Sequence, residues 1–161
     1  MTSSSILSRH KPPYYIIRPN SLQIYRNPFK RFGLNWIDLG QQFSQFLIYC
    51  FSNLGAGIVL AGTAIGGKIL RSTDYGLTWT DLGQQFSQAY IFSLLSLAPG
   101  IVLAGTATGG KILRSTDYGL TWTDLGQQFS QAYLYSLFHF SSGIVLAGAA
   151  PQGKILRSAP N

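Results

Sequence analysis

Between Tyr90 and Leu125 the apolar positions fall into four short runs set apart by turn residues. Tyr90–Leu97 ends at Ala98-Pro99-Gly100, and Ile101–Thr106 ends at Ala107-Thr108-Gly109-Gly110. Lys111–Arg114 leads into the loop Ser115–Gly119, after which Thr121–Leu125 forms the last run. Turn signals at such short spacing predict strands of an antiparallel meander. The second run, IVLAGT, is apolar on both faces and includes Ala and Gly. That pattern suits a sheet pressed between two neighbouring sheets rather than one with a face in water.

The same pattern recurs. Gly57–Gln88 returns as Gly100–Gln131 with one change, Ile65 to Thr108, and a third copy begins at Gly143, so the copies stand 43 residues apart. A fixed period of this length means stacked supersecondary units, and four strands per unit is the blade of a β-propeller. A β-solenoid normally uses shorter coils and stands second. The expected fold is therefore all-β, with β-propeller-type blades of four antiparallel strands. Residues 46–88 and 89–131 form blades, and 132–161 a partial blade. Residues 22–45 form a partial unit, in which Gln23–Arg26 resembles Lys68–Arg71, and Trp36, Trp79 and Trp122 fall on one period. Asn35–Leu39 is expected to supply the missing fourth strand of the last blade. About three blades do not close a ring around one chain, so self-association or further blades of the same kind are expected.

Charge changes this picture little. The net charge is +7, yet each full repeat sums to zero, as with Lys68, Arg71, Asp74 and Asp81. Most of the excess sits in an irregular extension, residues 1–21, and in the segment after it, where Arg9, Lys11, Arg18, Arg26, Lys30 and Arg31 face no acid. The rest comes from Lys154 and Arg157 of the last repeat, which lacks the matching aspartates. With no nucleic-acid motif beside them, these read as a solvated extension, with an anionic surface as the alternative. Phe46–Gly67 and Phe86–Gly110 are apolar enough to suggest membrane spans, but turn residues interrupt both, and doubly buried strands give the same hydropathy. Cys50 is the only cysteine, so no intrachain disulfide forms, and it occupies a position held by Ser93 and Ser136 in the other copies. A small buried side chain is the reading for it, ahead of a reactive thiol. The first twenty residues hold no apolar run long enough for a signal peptide. The default compartment is cytoplasmic, and extracellular if a leader is missing.

The loop Ser72-Thr73-Asp74-Tyr75-Gly76-Leu77-Thr78-Trp79 and its copy Ser115–Trp122 share the pattern S-x-D-x-G-x-T-W. This resembles the Asp-box, or bacterial neuraminidase repeat, of sialidases, sortilin and photosystem II stability factor-like β-propellers. Ser and Asp side chains accept hydrogen bonds from the turn's N–H groups, Gly permits a positive φ, and Trp covers the hairpin. The resemblance implies that the box joins the third and fourth strands on the face away from an active site. Ser72, Asp74, Gly76, Trp79, Ser115, Asp117, Gly119 and Trp122 are then turn formers, not catalysts or metal ligands. The first unit departs from the pattern, keeping only Gly33 and Trp36. Sialidase chemistry, as the resemblance implies it, uses an arginine triad, a tyrosine nucleophile with a glutamate, and an aspartate acid/base. This chain has no glutamate, Arg71, Arg114 and Arg157 recur by repetition, and Ile17-Arg18-Pro19 only loosely resembles the sialidase arginine–isoleucine–proline element. Asp38, Asp81 and Asp124 are equivalent repeat positions, not the two differently placed acids a glycosidase needs.

A ligand would meet the opposite face, built from the second–third strand turns and the links between blades. That face carries Thr108, Gln84, Gln85, Phe86, Gln127, Gln128 and Phe129, where amides beside an aromatic suit a glycan or a peptide backbone. Blade packing is the competing role for the same residues. The copies differ most in the first strand, which lines the channel of a propeller, and His139 is the one titratable difference there. The expected function is a non-catalytic binding or scaffold module, with no metal and no cofactor. The alternative is a truncated sialidase-like or other glycoside hydrolase propeller.

Overall fold

The structure, a computed structural model, describes residues 36–140 and 143–159. The chain divides into two compact units, Met1–Asp38 and Leu39–Asn161. The expectations for residues 1–21, for Gln23–Arg26 and for Asn35 lie outside the described residues.

Among the described residues of the second unit, eleven strands follow one another. The first sheet comprises β1 (Ile48–Gly55), β2 (Ile58–Thr63), β3 (Lys68–Ser72) and β4 (Thr80–Gln84), hydrogen-bonded in chain order. The second repeats it with β5 (Ile91–Ala98), β6 (Ile101–Thr106), β7 (Lys111–Ser115) and β8 (Thr123–Gln127). The third holds β9 (Tyr133–His139), β10 (Val145–Ala150) and β11 (Lys154–Arg157). Every pairing is antiparallel, and none of the three sheets closes into a ring among the described residues. The fold is all-β with propeller-type blades. Residues 36–39 are in no strand, and the third sheet has three strands among the described residues. Both apolar stretches that suggested membrane spans are strand hairpins, β1–β2 and β5–β6. Among the described residues no helix is long and apolar enough to cross a membrane.

Local chemistry explains each connection. Pro99 and Gly100 (φ 77°) stand at the central positions of the β5–β6 turn, the arrangement of a type II turn. The third strand starts from a threonine clamp, in which Thr63 Oγ1 accepts from the Lys68 N–H and donates to the Lys68 carbonyl, both at 3.1 Å. Thr106 does the same for Lys111. Lys68 pairs with Asp81 at 2.5 Å and Lys111 with Asp124 at 2.6 Å, tying the third strand to the fourth.

The core lies between sheets. Leu60 and Ile69 of the first sheet meet Ile91, Leu94, Val102, Ala104 and Leu113 of the second, all buried. A smaller cluster of Leu134, Ala147 and Ala149, with Ile112, Leu137 and Leu156, joins the second sheet to the third. The glycine of IVLAGT makes this close approach possible. A Cβ on Gly62 would fall 2.7 Å from Ile91 Cγ2 and 2.9 Å from the Ile91 carbonyl oxygen. On Gly105 it would fall 2.8 Å from the Leu134 carbonyl oxygen. No real side chain tolerates such distances to fixed backbone, so the neighbouring sheet's first strand sits where a side chain would otherwise stand.

Candidate functional site

The S-x-D-x-G-x-T-W loops close on their own hydrogen bonds. Ser72 Oγ accepts from the N–H groups of Asp74 and Gly76 at 3.2 and 2.9 Å and donates to Asp74 Oδ1 at 2.7 Å. Asp74 in turn receives the Thr78 N–H at 2.9 Å and the Thr78 hydroxyl at 2.6 Å. Ser115, Asp117, Gly119 and Thr121 repeat the pattern. The Thr78 hydroxyl, then its N–H, hold the Asp74 carboxyl down to about 2. For Asp117 burial pulls upward, but the Thr121 hydroxyl and N–H outweigh it and the net shift is downward. The Trp122 indole N–H reaches the Gly119 carbonyl at 3.0 Å. These carboxylates are held in the ionised form by hydrogen bonds from within their own loops.

The glutamines are committed too. Gln84 Nε2 donates to the Gln88 carbonyl at 2.9 Å, and Gln85 Nε2 to the carbonyls of Leu82 and Gly83 at 3.1 Å. Gln127 and Gln128 do the same in the next link. Phe86 and Phe129 adopt positive φ values of 48° and 51° at the tips of these links. Thr108 stands exposed on the β6–β7 turn, and His139 is half-buried at the end of β9. The side-chain amides thus donate to carbonyls of their own links. Phe129 and Gln128 border a groove of about 320 Å³ between the second and third sheets, with Leu103, Ile112, Val145 and Leu156. Cys50 is half-buried, and burial pushes its thiol up to about 11. A thiol that holds its proton so firmly is a packing group.

The first strands assemble a different surface. Tyr49, Tyr90, Phe92, Tyr133 and Tyr135 line one open concavity of about 550 Å³. Tyr49, Phe92 and Tyr135 occupy the same phase of the repeat on β1, β5 and β9 and form a row, with ring centroids 5.0 and 4.6 Å apart. Tyr90 and Tyr133, two residues earlier in each copy, form a second row stacked beside the first at 5.5 and 5.7 Å. The spacing of two puts both rows on one side of their strands. No charged side chain lines the concavity, and none of the four tyrosine hydroxyls has a hydrogen-bond partner among the described residues. Such a surface offers flat apolar faces with hydroxyl groups at their edges. Reasoning from sequence places the variable first strand on the channel side but passes over these rings. The available signal is aromatic residues recurring in phase at 49, 92 and 135 and at 90 and 133.

Comparison with protein-family models found no match, and comparison with curated proteins found none either. Among solved structures, one described as YCF48 bound to D1 peptide aligns with a TM-score of 0.59 at 20% sequence identity. The alignment covers 75% of this chain and 39% of that one, so this chain spans well under half the length of its structural neighbour. At that identity the likeness concerns the fold, which is that of a β-propeller.

Proposed function

We propose that the chain is a non-catalytic propeller-type scaffold that binds an extended peptide along its tyrosine-lined inner strands. The observation that carries this reading is the pair of aromatic rows, Tyr49–Phe92–Tyr135 and Tyr90–Tyr133, open to solvent with hydroxyls unspent. Aromatic rows suit apolar or proline-containing segments in extended conformation, whose backbone carbonyls accept hydrogen bonds from the phenol edges. The structural neighbour carries a bound peptide, which supports the same class of ligand. The S-x-D-x-G-x-T-W loops are, in this reading, Asp-boxes with a purely structural role, and further sheets of the same kind extend the scaffold.

Calorimetric titration with a panel of extended peptides and a panel of oligosaccharides tests the proposal. Saturable peptide binding is expected, and Phe92→Ala or Tyr135→Ala should weaken it about tenfold or more, as loss of a central aromatic contact does. Binding of oligosaccharides alone would reassign the surface to glycans. Peptide binding unaffected by both substitutions would refute the site.

A further inference from the structure

Positions at the same phase of the repeat are covered very differently in the three sheets, and the differences match up. Where the first sheet meets the second, Gly62 lies under Ile91, and where the second meets the third, Gly105 lies under Leu134. Gly148 is the same position in the third sheet, yet a Cβ there would meet only Ser136 of its own sheet. Ile69 is fully buried, whereas its counterpart Ile155 is 78% exposed. The third sheet therefore presents, uncovered, the face that the other two use to receive a neighbour.

The complement stands on the first sheet. Ile91 and Leu134, which fill the glycine dents, are fully buried, while Ile48 at the same phase is 38% exposed. Leu94 is 9% exposed and its counterpart Phe51 63%. The loops agree. Leu60 packs against Gly119, where an added Cβ would stand 2.5 Å from Leu60 Cδ1, and Arg71 Nε donates to the Tyr118 carbonyl at 3.1 Å. In the first sheet the matching loop positions are Tyr75, 84% exposed, and Gly76, whose added Cβ would meet only Trp79.

We propose that the third sheet of one copy receives the first sheet of a second copy, head to tail, repeating the blade–blade interface found twice within the chain. Ile48 then enters the dent over Gly148, Leu146 packs against Gly76, and Arg157 takes the Tyr75 carbonyl, as Leu60 and Arg71 do with Gly119 and Tyr118. An unrelated partner would have to reproduce this relief. A second copy already carries most of it, with Ile48 where Ile91 stands and the Tyr75–Gly76 loop where Tyr118–Gly119 stands. The contact is heterologous, with different surfaces on the two copies, so each association leaves one of each surface free until a ring closes. It does not depend on the peptide site, and the two proposals fail separately.

Sedimentation velocity on the full chain across a wide concentration range is the first test. Species of two or more copies are expected, and Ile155→Asp, a change at an exposed side chain, should return the chain to monomer with its circular dichroism unchanged. The second test uses Cys50→Ser chains carrying either Ile48→Cys or Gly148→Cys. Mild oxidation should cross-link the mixture and leave each variant alone uncross-linked, because head meets tail. A wild-type chain that stays monomeric at all concentrations would overturn the proposal. So would cross-links within either single variant as abundant as those in the mixture.

Discussion

The sharpest test of the packing lies in one methyl group. Gly62→Ala and Gly105→Ala each place a Cβ against the backbone of the neighbouring sheet, 2.9 Å from the Ile91 carbonyl oxygen and 2.8 Å from that of Leu134. Neither oxygen can turn aside, so the two sheets must part, and overpacking of this kind costs about 1–3 kcal/mol. The smaller conformational entropy of the unfolded alanine chain offsets about 0.4–1 kcal/mol of that. A net loss of about 1–2 kcal/mol is expected, which for a chain of this size lowers Tm by roughly 2–8 °C. Gly148→Ala supplies the internal control. Its Cβ would stand 2.5 Å from Ser136 Oγ, but a serine hydroxyl can rotate away, so the expected change is close to zero. Urea unfolding followed by tryptophan fluorescence, at concentrations where sedimentation shows a monomer, gives the three values on one scale. If Gly62→Ala and Gly105→Ala prove as mild as Gly148→Ala, the claim that these glycines exist to admit the next sheet is refuted.

Three further outcomes follow from the loops and ion pairs. Ser115→Ala leaves the N–H groups of Asp117 and Gly119 without their acceptor in a buried setting, and should cost about 1–3 kcal/mol in the same unfolding assay. The Asp74 carboxyl, held down to about 2, contributes stability that is complete above the pKa of the unfolded chain, about 4, and drains away as pH falls toward 2. An acid titration of thermal stability should therefore show Asp74→Asn flattening the decline between those limits, and an unchanged slope would contradict the assignment. Lys111→Met removes a pair whose side chains are 31% and 21% exposed, so stability should fall by no more than about 1 kcal/mol and the loss should shrink in high salt.

Much of the fold is legible because repetition multiplies weak signals. Ile101–Thr106 matches β6 at both ends, and the run expected at Tyr90–Leu97 is β5 shifted by one residue. The fourth strand starts at Thr123, two residues later than the pattern predicts, because Thr121 and Trp122 belong to the loop that Asp117 and Gly119 organise. The expected strand at Asn35–Leu39 rests on the match of Gly33–Gln45 to Gly76–Gln88, and residues 36–39 are not in a strand. The site is harder to read than the fold. Glutamines beside a phenylalanine look the same in sequence whether they face a ligand or their own carbonyls, and only geometry shows Gln84 and Gln85 reaching back into the link. The tyrosine rows are hidden differently. The residues around them in the first strand vary between copies, and the in-phase recurrence at 49, 92 and 135 and at 90 and 133 stands out only when three strands are laid side by side.

The identity of the copies also bears on how the chain finds its shape. β2 and β6 are both IVLAGT, β3 and β7 both KILRS, and β4 and β8 both TDLGQ. A pairing of β2 with β7 would make the same contacts as the native pairing with β3. What separates them is the chain between, four residues from Thr63 to Lys68 against 47 from Thr63 to Lys111, a closure difference of about 2 kcal/mol. So slim a margin makes swapped hairpins a natural trap during refolding, and faster dilution from denaturant should enrich them. The first strands β1, β5 and β9 differ most among the copies, which makes them the part of the sequence able to act as address labels for otherwise interchangeable hairpins.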